Sequence, residues 1–323
     1  MSCPPVVLIV FNRPHLTARV LAAIREARPS QLLVVADGPR RDQPDDAELC
    51  RSARSVAVEV DWPCEVAAKL EDENLGCGLA ISSGLDWVFR QVDRAIILED
   101  DCVPHPSFFP FCEELLERYV DDSRVMQIAG TNWGAPEQAY FGYSYAFTAF
   151  SPVWGWATWR RAWEKYDFHM RTWPEFRRVG MMRGLPGSRA WHGLLRRDFD
   201  QAHRGEGTWD HQWQYTVLSE HGLSVSPAVN LITNIGFGPD ATQTTLASPQ
   251  DVIDHRLDGD AGNMPIRSMT DPLRHPPVVA ENPSVELHFQ RMMFEHVGRV
   301  VQLFRRVVPS HRLRRRIKGL VRR

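Results

Sequence analysis

At 323 residues and 43% hydrophobic, the chain holds enough apolar material for one large α/β domain or two small ones. Its formal net charge of −2 supplies no global field that would draw it to nucleic acid, so an electrostatic partner has to meet a local patch. Cys3, Cys50, Cys64, Cys77, Cys102 and Cys112 form neither a CxxC pair nor a compact framework, which argues against a zinc ribbon or a disulfide-stapled domain and for reducing surroundings. The first residues lack a basic-then-apolar leader and no run approaches bilayer-spanning length, so a cytoplasmic protein is expected.

The elements follow in order. Val6 to Phe11 is a continuous apolar run, Pro14 to Arg28 carries Leu16, Val20, Ala23, Ile24 and Ala27 at helical spacing, and Leu32 to Ala36 is a second apolar run. This is a βαβ unit. The pattern repeats with a helix over Asp45 to Ser55, a strand near Val66 to Leu70, a helix from Gly78 to Val92 and a strand at Ala95 to Leu98. A helix over Phe108 to Tyr119 and a strand at Val125 to Ala129 come next. Such alternation predicts a mostly parallel sheet with helices on both faces. Sheets of this kind often bind nucleotides, yet the dinucleotide fingerprint is absent. Asn12-Arg13-Pro14-His15 after the first strand has no glycine, Gly76-Cys77-Gly78 is followed by Ile81, and no GxxxxGK[ST] loop occurs.

Glu99-Asp100-Asp101 follows the strand at Ala95 to Leu98 directly, at the carboxyl end where ligands of parallel sheets gather. Adjacent acids repel one another unless a cation or hydrogen bonds offset the repulsion. Mg²⁺ and Mn²⁺ take carboxylate oxygens and bridge to phosphates through one or two of them. Two readings stand: a metal site, or a cap on the helix beginning near Pro106.

Composition shifts near Gly130, dividing a first half, 1–130, from a second, 131–247, that is rich in tryptophan. Trp133, Trp154, Trp156, Trp159, Trp163, Trp173, Trp191, Trp209 and Trp213 are mostly core material. Ser151-Pro152-Val153-Trp154-Gly155-Trp156 nevertheless places indoles on irregular backbone suited to stacking on a sugar ring. Residues 248–284 read as a long surface loop, and 285–323 as a helical tail whose end, from Arg305 to Arg323, is basic and free of acids. The tail fits an anionic membrane surface, at the inner face of the membrane, or a solvated end after a docking helix.

The anchors Phe11-Asn12-Arg13, Ala36-Asp37-Gly38, Ile97-Leu98-Glu99-Asp100-Asp101, Gly155-Trp156 and Trp209-Asp210-His211-Gln212-Trp213 together make Val6 to Thr245 resemble metal-dependent glycosyltransferases of the GT-A fold. Within these the chain resembles the bacterial family 2-type, hemolytic-protein-like proteins, and it is distantly similar to the eukaryotic N-glycan N-acetylglucosaminyltransferase I. The resemblance implies a Rossmann-like, mostly parallel sheet, a nucleoside-diphosphate sugar donor, and Mn²⁺ or Mg²⁺ held by Asp101. It further implies that Asp37 bonds the uracil, Arg13 lies near the nucleotide and its phosphates, and Glu99 and Asp100 face donor sugar and ribose. Asp210 would be the catalytic base, and the loop from Gly236 to Thr242, with Gly238 and Thr242, would close over the pyrophosphate. In this loop the chain departs from the relative's composition at Ala241-Thr242-Gln243-Thr244.

The residue chemistry agrees with such a reaction. A positioned carboxylate removes the proton of an attacking sugar hydroxyl, and one base without a second nucleophile inverts the anomeric centre. Asp210 stands between Trp209 and Trp213, which would shield it, while the alternative for Asp210 is the N-cap of the helix running to His221. His211 is a competing base, a ligand or a packing residue. Trp154, Trp156 and Trp209 are the expected acceptor platforms, for a glycan or lipid-linked acceptor in surface polysaccharide synthesis. Two other functions stand beside this one: a sugar-1-phosphate nucleotidyltransferase, and a non-catalytic carbohydrate-binding relative.

Overall fold

The structure is a computed structural model that describes residues 3–185, 187–206, 208–236 and 264–293. The first half alternates strand and helix: β1 (Val6–Val10), α1 (Pro14–Ala27), β2 (Gln31–Ala36), α2 (Asp46–Val58), β3 (Glu65–Leu70), α3 (Cys77–Phe89) and β4 (Arg94–Glu99). A short β5 (Cys102–Pro104), α4 (Phe108–Arg118) and β6 (Val125–Ala129) follow. The second half adds β7 (Tyr145–Thr148), β8 (Trp156–Trp159), α5 (Arg160–Trp163), α6 (Trp173–Arg178), α7 (Arg189–His203), α8 (Asp210–Ser219), β9 (Leu223–Pro227) and β10 (Ile232–Asn234). Residues 283–293 are helical.

Local chemistry sets these boundaries. Pro14 opens α1, where its missing N–H costs nothing, and Arg28 closes it in a left-handed conformation. Asp46 and Glu48 occupy the first turn of α2, the end that favours negative charge. β1 is a run of Val and Leu with Ile9, buried throughout, as expected of a strand covered on both faces.

One eight-stranded sheet runs β3-β2-β1-β4-β8-β6-β9-β7. Parallel pairing joins β3, β2, β1 and β4, and again β6 and β9, while β8 and β7 run against the rest. The sheet is therefore mixed but mostly parallel, and helices cover both faces. Alternate residues sort onto two cores. Val6, Leu8, Leu32 and Val34 pack with Val20 and Ile24 of α1 and Phe108 and Leu115 of α4. Val7, Ile9, Leu33 and Val35 pack with Ile81, Leu85 and Val88 of α3 and Trp213 and Val217 of α8. A third cluster gathers Trp173, Phe199 and Tyr215 between α6, α7 and α8. The break in composition near Gly130 is not a break in the sheet, because β8 of the second half pairs with β4 and β6 of the first, and β9 and β7 continue the sheet beyond β6.

Inside the expected 248–284 loop, residues 264–282 form no helix and no strand beyond isolated bridges. Residues 264–282 return to the body, with Met269 buried in the first core, Asn230 bridged to Ile266 and Phe147 to Glu281. Asn282 then caps the 283–293 helix through its side-chain oxygen, which accepts from Ser284 N at 2.9 Å and Val285 N at 3.2 Å. The basic end of the tail lies outside the described residues, and no described helix is long and apolar enough to cross a membrane. All six cysteines are free.

Gly84 lets α3 lie directly on β2, since a Cβ there would overlap Val35 Cγ1. Gly84→Val is expected to cost about 1–3 kcal/mol by overpacking, read as a lower urea midpoint. An unchanged midpoint would show that α3 does not sit on β2 this closely.

Candidate functional site

The site begins with the register of two parallel strands. Ile9 of β1 lies beside Glu99 of β4, so Phe11-Asn12-Arg13 leaves the sheet where Asp100-Asp101 leaves it. Arg13 Nη2 bonds a carboxylate oxygen of Asp100 and, at 2.8 Å, Oδ2 of Asp101. The Asp100 side chain is only 4% exposed, that of Asp101 15% and that of Arg13 12%. Burial raises Asp100 to about 6 against the pull of Arg13, and burial together with Asp101 and Asp100 raises Glu99 to about 8.

β5 follows at once and pairs with β10, placing Asn234 opposite Cys102. Ile235 N donates to the Asp101 carbonyl at 2.8 Å and Gly236 N to Asn234 Oδ1 at 2.8 Å. A Cβ at Gly236 would overlap the Asp101 carboxylate and come to 3.0 Å from Arg13 Nη1. The segment leading into the expected pyrophosphate loop is thus seated on the acidic turn. Gly238 and Thr242 lie outside the described residues. The helix-cap reading of the triplet is overturned, because β5 intervenes and Ser107 is the N-cap position of α4.

Asp210 is the first residue of α8, after the N-cap position Trp209, whose side chain makes no capping bond. The Thr208 hydroxyl donates to its carboxylate, and its negative charge adds to those raising Glu99. The structure therefore brings Arg13, the triplet and Asp210 to one edge of the sheet, and His211 stands half-buried next to Asp210. Two amides unmarked in the sequence reading hold α8 there. Trp213 Nε1 donates to Gln127 of β6, and Gln214 accepts from Ser151 N at 2.9 Å and donates to the Ala149 carbonyl at 2.8 Å. Gln127, a single amide inside the apolar strand Val125–Ala129, was the available signal.

The tryptophan expectations divide. Trp156 and Trp209 are 1% and 2% exposed and stack on each other at 5.6 Å. Both are core, and neither offers a face to an acceptor; that part of the expectation is corrected. Trp154 is half-buried and packs on Trp133 with ring centroids 4.7 Å apart. Trp133, absent from the expected set, has a left-handed φ of 48°, and Asn132 Oδ1 holds the turn by accepting from Gly134 N at 3.1 Å.

Asp37 is buried, and its carboxylate accepts from Gly38 N and Leu75 N at 2.8 Å, Asn74 Nδ2 at 2.9 Å and Gly76 N at 3.1 Å. Four donors fill the capacity of the two oxygens. The expected bond from Asp37 to a uracil finds no open acceptor here; the residue instead ties residues 74–76 to the end of β2.

The acidic turn suits a hard divalent cation on its donor chemistry. Glu99, Asp100 and Asp101, with Asp210 near them, face Arg13 as their cation, and Asp100 Oδ2 is buried without a hydrogen-bond partner among the described residues. Among the described residues, no group of three or more His, Cys, Asp or Glu side chains is arranged to hold a metal ion. A hard divalent ion held by these carboxylates would therefore have to complete its shell with phosphate and water.

No protein-family model and no curated protein matches the sequence. Among solved structures, S. aureus TarS 1-349 is similar at 8% identity and TM-score 0.40, over 83% of this chain and 67% of that one. The inositol-1-phosphate CTP transferase from T. maritima is similar at 8% identity and TM-score 0.28, over 51% of this chain and 74% of that one. A UDP-glucose pyrophosphorylase in complex with UDP-glucose is similar at 13% identity and TM-score 0.24, over 39% of this chain and 56% of that one.

Asp37→Ala is expected to destabilise the protein on the order of 3 kcal/mol, because four donors lose a charged acceptor. Amide exchange at Leu75 and Gly76 should accelerate with it; unchanged protection there would contradict the tethering role.

Proposed function

We propose that the protein is a glycosyltransferase that moves a sugar from a nucleoside-diphosphate sugar, a UDP-sugar, to a glycan or lipid-linked acceptor in surface polysaccharide synthesis. The observation that carries the reading is the convergence of Arg13, Glu99-Asp100-Asp101 and Asp210, drawn from separate parts of the chain, at one carboxyl edge of the sheet. Ligands of open α/β sheets gather at such an edge.

In this reading Arg13 meets the diphosphate, while Glu99 and Asp100 face the donor sugar and ribose. Asp101 holds Mn²⁺ or Mg²⁺, which when bound supplies Lewis-acid stabilisation of the negative charge on the departing diphosphate. Asp210 accepts the proton of the acceptor hydroxyl as its oxygen bonds the anomeric carbon and the diphosphate leaves. With a single base and no second nucleophile the product has inverted configuration. Gly238 and Thr242 belong to the loop expected to close on the diphosphate. Trp154, packed on Trp133, supplies an aromatic wall for the acceptor. The basic tail would hold the protein at an anionic membrane surface on the cytoplasmic side.

Titration calorimetry with UDP and Mn²⁺ separates the roles. Asp101→Asn is expected to remove the Mn²⁺ dependence of UDP binding. Asp210→Asn is expected to leave UDP binding as in the wild type and to slow transfer by about 10²–10⁴-fold, the usual contribution of a general base. Unchanged turnover in the Asp210 variant would remove the base assignment.

A further inference from the structure

We propose that Arg13 is a displaceable internal counterion that couples metal and diphosphate binding. In the structure it pairs with Asp100 and Asp101, and it surrenders Asp101 when a divalent cation and a diphosphate arrive together. The inference rests on the reading of Asp101 as the metal ligand and of Arg13 as a diphosphate contact.

Three observations carry it. First, both of the bonds from Arg13 to the acids leave from the same nitrogen, Nη2, and Nε is buried without a partner among the described residues. A guanidinium has five N–H donors in a fixed fork suited to two phosphate or carboxylate oxygens at once. Arg13 therefore uses a small part of its capacity in its present pose and keeps donors for an anion. Second, the two acids are unequal. Each gives Nη2 a single carboxylate oxygen, but Asp100 is the more deeply buried, at 4% side-chain exposure against 15% for Asp101. Asp101 is the partner that yields. Third, the backbone at Gly236 lies against both the Asp101 carboxylate and Arg13 Nη1, so the ion pair has little room to admit a third charged group unchanged.

The electrostatics then dictate the order of events. A metal ion approaching Asp101 alone meets an immobilised positive charge in a poorly hydrated site, where like charges repel strongly. A diphosphate approaching Arg13 alone meets the carboxylates of Glu99, Asp100 and Asp101. Each ligand removes the obstacle to the other: the metal takes over Asp101, and the diphosphate takes over the freed donors of Arg13. Coupling of this kind is reciprocal, so the factor by which UDP tightens Mn²⁺ equals the factor by which Mn²⁺ tightens UDP.

Calorimetric titration of the full chain with MnCl₂ alone, UDP alone, and each in the presence of the other tests the inference, on wild type, Arg13→Gln and Arg13→Lys. Wild type is expected to show mutual tightening within the usual range of about 5–150-fold. Arg13→Gln is expected to bind Mn²⁺ alone about tenfold more tightly than wild type, with a coupling factor close to one. Arg13→Lys, which keeps the charge, should retain weak binding of Mn²⁺ alone and part of the coupling, and it carries the test if Arg13→Gln fails to fold. Mn²⁺ affinity that is the same in wild type and both variants overturns the inference while leaving the transferase reading intact. UDP binding that ignores EDTA and is lost in Arg13→Gln also overturns it, since Arg13 would then be a permanent counterion. A wild type that binds no UDP under any condition brings down the functional reading first, and the coupling with it.

Discussion

The parallel register of β1 and β4 is the constraint on which the candidate site depends. With Ile9 set beside Glu99, the exits of the two strands lie side by side, and a guanidinium from one faces the carboxylates of the other. Shifting that register by a residue would turn every side chain of the strand to the opposite face of a doubly covered sheet, so the two cores enforce it. The acidic turn is in this sense a product of apolar packing several residues away. The charges come together because Val7, Leu8 and Ile9 have nowhere else to go.

The cost of that crowding is visible in Glu99 and Asp100, both pushed above the usual carboxylate range by burial, with Asp101 adding to the effect. Buried charges are retained where they are paired, and Arg13 supplies the pairing. The opposing wall is built differently. α8 is buried from Gln212 through Leu218, and its position is set by amide hydrogen bonds from Gln127 and Gln214 rather than by charge. Neutral groups make a support that responds little to ions, so Asp210 is held beside the charged half of the site by contacts that do not depend on those charges.

Much of this was legible in the order of residues. Continuous apolar runs such as Val6 to Phe11 and Ala95 to Leu98 read as doubly covered strands, and the helices between them emerged from their 3.6-residue spacing. The acidic triplet stood out because three carboxylates at a strand exit break an apolar pattern, whereas Arg13 and Asp210 were marked by the resemblance. The tryptophans were less readable. Trp154 and Trp156 lie two residues apart on one irregular stretch, yet Trp156 enters β8 and is sealed by Trp209, whereas Trp154 stays at the edge against Trp133. Composition marks an indole as large and amphipathic but says nothing about which other indole will cover it.

Asp37 draws the same boundary more sharply. The resemblance marked it as a nucleotide contact, and it does stand at the end of β2, but Gly38, Asn74, Leu75 and Gly76 have taken its oxygens. The sequence by itself determined the βαβ pattern, the strand exits and the kinds of charge placed at them, because periodicity and polarity are local properties of the chain. Only the tertiary structure decided which of those groups are spent on one another and which remain for a ligand. Hydrogen-bond capacity and burial depend on neighbours 34 to 39 residues away or more, from Asn12 and Asp46 to Asp37 and Gly76, and on packing that no local pattern encodes.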